Sequence, residues 1–95
     1  ERMSIPQGKR FDDEGAFIRD GQVGDWYFAG NDDLYIHTPG GTARLPVDPK
    51  CREEWGGPCW QWDGNRDAPT VTPSIRIKGE GEWHGYMTKG QLVSV

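Results

Sequence analysis

The sequence predicts an all-β fold, or a β-rich fold with a short helical turn, built as a small sandwich or open barrel of six or seven short strands. Fourteen glycines and seven prolines interrupt the 95 residues, which leaves little room for long helices. Five tryptophans, three tyrosines and three phenylalanines supply large apolar side chains for a core. We therefore expect one β-rich domain over residues 1–95.

The first third of the chain predicts a lead-in and a hairpin. Residues 1–14 are polar and read as an irregular lead-in. Met3 reads as the natural start, with residues 1–2 as a remnant of expression. Residues 16–19 and 23–29 are apolar runs on either side of Asp20-Gly21, a pair typical of type I′ turns. We expect these two runs to form the first hairpin.

A second hairpin is predicted from residues 34–37 and 42–47, around the turn residues 38–41. Apolar residues alternate along its second strand, so one face of that strand should enter the core. The residues on this face are Ala43, Leu45 and Val47.

The middle of the chain reads as loops and short strands. Residues 48–59 predict a polar loop or short helical turn, and residues 60–62 a strand with both indoles on one face. Residues 63–67 resemble the start of a calcium-binding loop, but the glycine and glutamate that such a loop needs further on are absent, so they predict a turn. Two prolines within residues 69–73 favour an edge strand or an extended lead-in.

The last quarter of the chain predicts further strands. Residues 74–78 alternate, with both isoleucines facing inward. Residues 82–88 and 91–95 then predict a closing hairpin around Lys89-Gly90.

Composition limits the partners and the cellular location. Fifteen acidic against 11 basic residues give a net charge of −4, which disfavours nucleic acid as a partner because such binding depends on Lys and Arg. No run approaches the roughly 20 apolar residues of a membrane span, and no signal peptide is visible. We expect a cytoplasmic protein.

Four side chains form the candidate metal site. A tetrahedral zinc site would benefit so small a domain, but seven residues separate the two cysteines, unlike a zinc knuckle. Ordinary buried thiols and a disulfide between the two cysteines are the alternatives. The four candidate ligands are His37, Cys51, Cys59 and His84.

The sequence offers no recognisable catalytic motif. Ser74 follows Pro73 and Cys59 follows Pro58, and neither lies in a G-x-S-x-G elbow or a Cys-His signature. We therefore expect a protein without enzymatic activity and without a cofactor, zinc being the alternative.

The tryptophans divide into core residues and one surface candidate. Trp55, beside Glu53 and Glu54 and before two glycines, is the best candidate for an exposed residue that contacts a protein partner. The four tryptophans expected in the core are Trp26, Trp60, Trp62 and Trp83.

Two segments carry specific motifs: residues 60–75 fit the pattern W-x-W-D-G-N-x-x-x-P-T-[LV]-[ST]-P-S-[IL], and residues 83–90 fit W-H-G-[FWY]-[LIV]-x-x-G. In this order they resemble the signature and the ending of a family of small phage and prophage proteins of unknown function, some of which carry the label ammonia monooxygenase. Members often carry cysteines that look like a zinc site. Here residues 36–41 lack those cysteines, and only His84 matches a ligand-like position of the family.

The resemblance implies a phage-encoded accessory protein in the cytoplasm of the host cell. We expect it to bind a protein partner, and inhibition of a host defence system is one form that this role would take. The alternative is a small zinc-binding domain with a structural role.

Overall fold

The computed structural model describes residues 5–30, 33–47, 59–78 and 81–95, and within these ranges it is almost entirely β-structure. The strands form two four-stranded sheets, one in the order β1-β2-β3-β4 and the other in the order β5-β6-β7-β8. The prediction of a β-rich fold is confirmed, although the described residues form eight strands and not six or seven. The helical turn predicted within residues 48–59 lies outside the described residues except for Cys59. The elements are β1 (Arg10–Phe11), α1 (Glu14–Asp20), β2 (Trp26–Phe28), β3 (Leu34–Thr38), β4 (Gly41–Leu45), β5 (Gln61–Trp62), β6 (Val71–Ile77), β7 (Trp83–Thr88) and β8 (Gln91–Ser94).

The predicted first hairpin is wrong, because its first strand is the helix α1. Asp13 caps this helix, since its carboxylate accepts a hydrogen bond from the Ala16 amide at 2.8 Å. Phe17 is buried on the inner face of α1, and the amide of Gly21 closes the helix by donating to the Phe17 carbonyl. The turn-forming Asp20-Gly21 pair therefore ends a helix.

The first sheet also uses part of the predicted lead-in. β1 pairs in parallel with β2, so residues 10–11 are ordered into the sheet. β3 and β4 form the predicted second hairpin, in a register from Leu34 opposite Leu45 to Thr38 opposite Gly41. The inward face predicted for this hairpin is confirmed: Ala43, Leu45 and Val47 are all buried.

The second sheet is an antiparallel meander that ends in the predicted closing hairpin. Lys89 and Gly90 connect β7 to β8 with φ angles of 48° and 77°, and positive φ at both positions is what a type I′ turn requires. A side chain at Gly90 would also meet the side chains of Gln7 and Trp26, so glycine is needed there for space as well.

β6 differs from the expectation of an edge strand. It lies inside the sheet, between β5 and β7, although it contains Pro73. Val71 lies opposite Met87 and Ile75 lies opposite Gly85. Between these two pairs β6 advances by four residues while β7 advances by two, so β6 contains two extra residues. This β-bulge accommodates the proline, which cannot donate a hydrogen bond to the ladder.

A single apolar cluster fills the space between the two sheets. Trp26 and Trp83 are buried in it, and Trp60 and Trp62 pack against it while partly exposed, which confirms the predicted contribution of the tryptophans to the core. An isolated parallel bridge between Val47 and Trp60 also joins the sheets. The buried members of the cluster are Trp26, Phe28, Leu34, Ile36, Ala43, Leu45, Val47, Val71, Ile75, Trp83, Met87 and Leu92.

The turn predicted over residues 63–67 is confirmed. An oxygen of the Asp63 carboxylate accepts hydrogen bonds from the amides of Asn65 and Thr70 at 3.1 and 3.2 Å. The side-chain oxygen of Asn65 accepts from the amides of Asp67 and Ala68 in turn. These oxygens are therefore engaged in holding the loop.

Candidate active site

The only serine–histidine contact among the described residues joins Ser74 on β6 to His84 on β7. The Nε2 atom of His84 and the Oγ atom of Ser74 are 2.7 Å apart. Both side chains are half-buried on the face of the sheet that points away from the core. This separation lies within the reach required between a nucleophile and its general base.

The strand pattern of β7 explains why His84 points outward. Burial alternates along β7, so Trp83 enters the core while His84 lies on the outer face. Gly85 permits this arrangement, because a Cβ atom at that position would overlap the Trp83 indole and the Val93 carbonyl oxygen. The W-H-G segment thus places Trp83 in the core and His84 on the outer face of the sheet.

The bulge in β6 orients Ser74. The register of β6 with β7 is interrupted between Val71 and Ile75, so Ser74 lies outside the regular ladder. Its carbonyl instead accepts a hydrogen bond from the indole Nε1 of Trp60 at 3.3 Å. Bulges commonly re-aim side chains next to active sites, and Trp60 holds this one in place.

The neighbours of His84 hold its strand from both sides. Arg76 lies directly opposite His84 in the register and forms an ion pair with Glu82, whose carboxylate lies 2.9 Å from the guanidinium. On the other side, the Val95 amide donates to the His84 carbonyl at 2.9 Å. No hydrogen bond to the Nδ1 atom of His84 comes from the part of the chain that the structure describes.

The second histidine belongs to the first sheet and has a packing role. His37 stacks on Phe17 with ring centroids 3.9 Å apart. Its Nε2 donates to the Phe17 carbonyl at 2.8 Å, and its Nδ1 accepts from the Thr42 hydroxyl at 2.8 Å. Both ring nitrogens are therefore engaged within the fold.

The structure does not bring together the described members of the predicted zinc set. His37 and His84 lie in different sheets, and Cys59 is disulfide-bonded, as in one of the alternatives to zinc. Across residues 5–30, 33–47, 59–78 and 81–95, no group of three or more metal-binding side chains is found. Cys51 lies outside the described residues.

The predicted partner-binding residues Glu53, Glu54 and Trp55 also lie outside the described residues.

Within the described part of the chain, no helix has the length and apolar character of a membrane span.

The geometry of Ser74 and His84 defines a class of site. A hydroxyl that donates to an imidazole nitrogen is the nucleophile–base pair by which hydrolases activate serine for attack on a carbonyl. The fold that carries the pair is a small two-sheet β protein.

Residues 24–95 match the family model of the bacterial ubiquitination-like system serine protease (BubE). The match covers most of the chain, which therefore belongs to this family. No curated protein and no solved structure matches the chain. The expectation that the protein is not an enzyme is wrong, because the family is described as a serine protease.

Sequence reasoning missed the pair because it searched for local motifs. Ser74 and His84 are ten residues apart in the chain and meet only through the pairing of β6 with β7. Both strands were predicted, and the closely spaced prolines before Ser74 were a sign of irregular backbone.

Proposed function

We propose that this chain is a serine protease of a bacterial ubiquitination-like system, with Ser74 as nucleophile and His84 as general base. The observation that carries the proposal is the 2.7 Å contact between Ser74 Oγ and His84 Nε2. The description of the family as serine proteases supports it independently.

The pair can perform acyl transfer with balanced proton movement. Ser74 Oγ attacks the scissile carbonyl while His84 Nε2 takes the hydroxyl proton, and a tetrahedral oxyanion forms. When the C–N bond breaks, His84 returns the proton to the leaving amine, and the acyl group stays on Ser74. Water then attacks the ester, with His84 again accepting and returning a proton, which releases the carboxylic acid and restores Ser74.

The oxyanion requires hydrogen-bond donors at the nucleophile. The bulge interrupts the regular pairing of Ser74 with β7. The nucleophile's own amide is one of the two oxyanion donors in chymotrypsin-like proteases. We assign the same role to the Ser74 amide.

Labelling by a fluorophosphonate probe tests the proposal. We expect wild-type protein to be labelled on Ser74, located by peptide mapping, and Ser74→Ala to lose all labelling. His84→Gln should slow labelling by about 10²–10⁴-fold, because a general base contributes this much. Ser94→Ala changes another serine of the same sheet and serves as the matched control.

Labelling that persists in Ser74→Ala, or that depends equally on Ser94, contradicts the proposal. Circular dichroism of each variant separates loss of the nucleophile from loss of the fold.

In this proposal the expected protein partner is the substrate, since a protease binds the protein that it cleaves. A phage origin stays a prediction. Inhibition of a host defence system has no support in the contacts of the described residues.

A further inference from the structure

An open cleft of about 480 Å³ lies on the outer face of the hairpin formed by β7 and β8. Tyr86 lines this cleft and lies two residues after His84, so both side chains project from the same face of the strand. The cleft therefore begins next to His84, whose Nε2 atom lies 2.7 Å from Ser74 Oγ. Its lining residues are Gln7, Tyr86, Thr88, Lys89, Gln91 and Val93.

The end of the cleft next to the pair is apolar. Tyr86 is 42% exposed, which is high for a large aromatic residue, and it lies directly opposite Val93 on β8. Val95, which bonds to the backbone of His84, is also exposed. An apolar side chain of a substrate would remove this surface from water, whereas a polar one would gain nothing there.

The far end of the cleft carries a positive charge in an acidic protein. The chain has a net charge of −4, yet no carboxylate is among the described residues that line the cleft. The ammonium group of Lys89 forms no ion pair with the described part of the molecule. This end of the cleft is therefore electrostatically suited to an anionic group.

The backbone of Lys89 is held in place. Its amide donates to the Thr70 hydroxyl at 2.9 Å, and its carbonyl accepts from the side-chain amide of Gln7 at 3.0 Å. The tight turn through Gly90 fixes the same segment. The cleft is thus preorganised, which reduces the entropy lost when a chain binds in it.

We infer that this cleft binds the substrate segment beside the scissile bond, with an apolar side chain on Tyr86 and a carboxylate at Lys89. Lys89 follows the last residue of β7 and lies in the turn, so the cleft continues past the end of the strand that carries Tyr86. Side chains on one face of an extended substrate recur every two residues, so an apolar side chain and a carboxylate that both face the cleft lie two or four residues apart. The inference rests on the proposed function, since it takes Ser74 and His84 as the reacting groups.

Libraries of internally quenched peptides test the inference with wild-type protein. The first library fixes Leu and Glu two or four positions apart in amidated peptides, the second replaces Leu by Asn, and the third replaces Glu by Gln. A fourth has Gln as the last residue with a free terminal carboxylate, which distinguishes a chain terminus from an acidic side chain. We expect cleavage of the first library to exceed the second by about 10-fold and the third by about 3-fold.

Variants of the cleft assign each preference to its residue. Tyr86→Ala should lose the preference for Leu over Asn and keep that for Glu over Gln, and Lys89→Ala should show the reverse. Lys78→Ala removes an exposed lysine that follows the last residue of β6 and does not line the cleft, so it should keep both preferences. Circular dichroism checks that each variant folds.

The outcomes separate this inference from the proposed function. If the fluorophosphonate probe fails to label Ser74 in the wild type, the proposed function is wrong and the inference falls with it. If Ser74 is labelled but the libraries are cleaved equally or not at all, only the inference is overturned. Faster cleavage of the fourth library than of the third identifies a chain terminus as an acceptable carboxylate.

Discussion

Trp60 connects the apolar core to the segment that carries the nucleophile Ser74. Its ring packs against the apolar cluster, and its indole Nε1 donates to the Ser74 carbonyl. A change in this hydrogen bond would shift the backbone that carries Ser74 Oγ. Since Trp60 does not touch the substrate in the proposed mechanism, it is a positioning residue.

Trp60→Phe keeps an aromatic ring and removes the N–H donor. We expect fluorophosphonate labelling of Ser74 to slow by about 10-fold, because small misplacements of a reacting group are costly. The loss in free energy of unfolding should be only about 1 kcal/mol.

Trp62→Phe is the matched control, because it removes an equivalent indole bond to the Asn65 carbonyl in the adjacent turn. It should cost similar stability in a urea titration without slowing the labelling. An equal slowing in both variants would show that Trp60 has no specific effect on Ser74.

At the scale of the elements, β7 depends on a glycine in its middle. A side chain at Gly85 has no space between the Trp83 ring and the β8 backbone. Gly85→Ala should therefore lower the free energy of unfolding by about 3 kcal/mol, at the upper end of the cost of overpacking. Chemical denaturation measures this change.

Gly30→Ala is the comparison for Gly85→Ala, because no atom lies within 4 Å of a Cβ at Gly30. We expect its effect to stay within about 0.5 kcal/mol. Equal effects at the two positions would contradict the packing that places His84 on the outer face.

The helix α1 depends on its cap. Asp13→Ala leaves the Ala16 amide without its acceptor and should cost about 1 kcal/mol. Asp12→Ala removes a carboxylate that pairs with Arg10 at the surface, so its effect should be smaller. Thermal unfolding of both variants orders the two effects, and a larger loss for Asp12→Ala would contradict the assignment of the cap.

Sequence patterns predicted the elements with clear alternation and failed where longer-range contacts decide. The hairpins of β3 with β4 and of β7 with β8 followed from alternating residues and turn-forming glycines. The helix α1 was missed because its seven residues show no long period, and its formation rests on the Asp13 cap and the burial of Phe17. The Ser74–His84 pair was missed because the two residues meet only through the pairing of β6 with β7, and the two prolines before Ser74 indicate an irregular backbone without fixing where Ser74 points.

At the scale of the whole molecule, contacts between the sheets converge on one turn. The indole Nε1 of Trp26, in the first sheet, donates to the Arg66 carbonyl in the turn between β5 and β6 at 2.9 Å. The guanidinium of Arg66 lies over the rings of Phe28 and Trp62, which belong to different sheets. These contacts predict that the two sheets unfold together.

Trp26→Ala should lower the free energy of unfolding by about 3–5 kcal/mol, because it removes a fully buried indole from the shared core. Far- and near-ultraviolet circular dichroism should report coincident transitions in urea for wild type and variant. Val95→Ala, at an exposed position, should change stability little. Two separated transitions would show that each sheet is stable by itself.

The placement of Ser74 and His84 on the face of a sheet, beside an open cleft, has a consequence for the size of molecule that can be processed. A site of this shape sets no upper limit on what the cleaved bond is attached to, since a bulky folded body can remain outside while a short extended stretch crosses the strands. It also encloses a compact small molecule poorly, so effective inhibitors should be elongated and peptide-like.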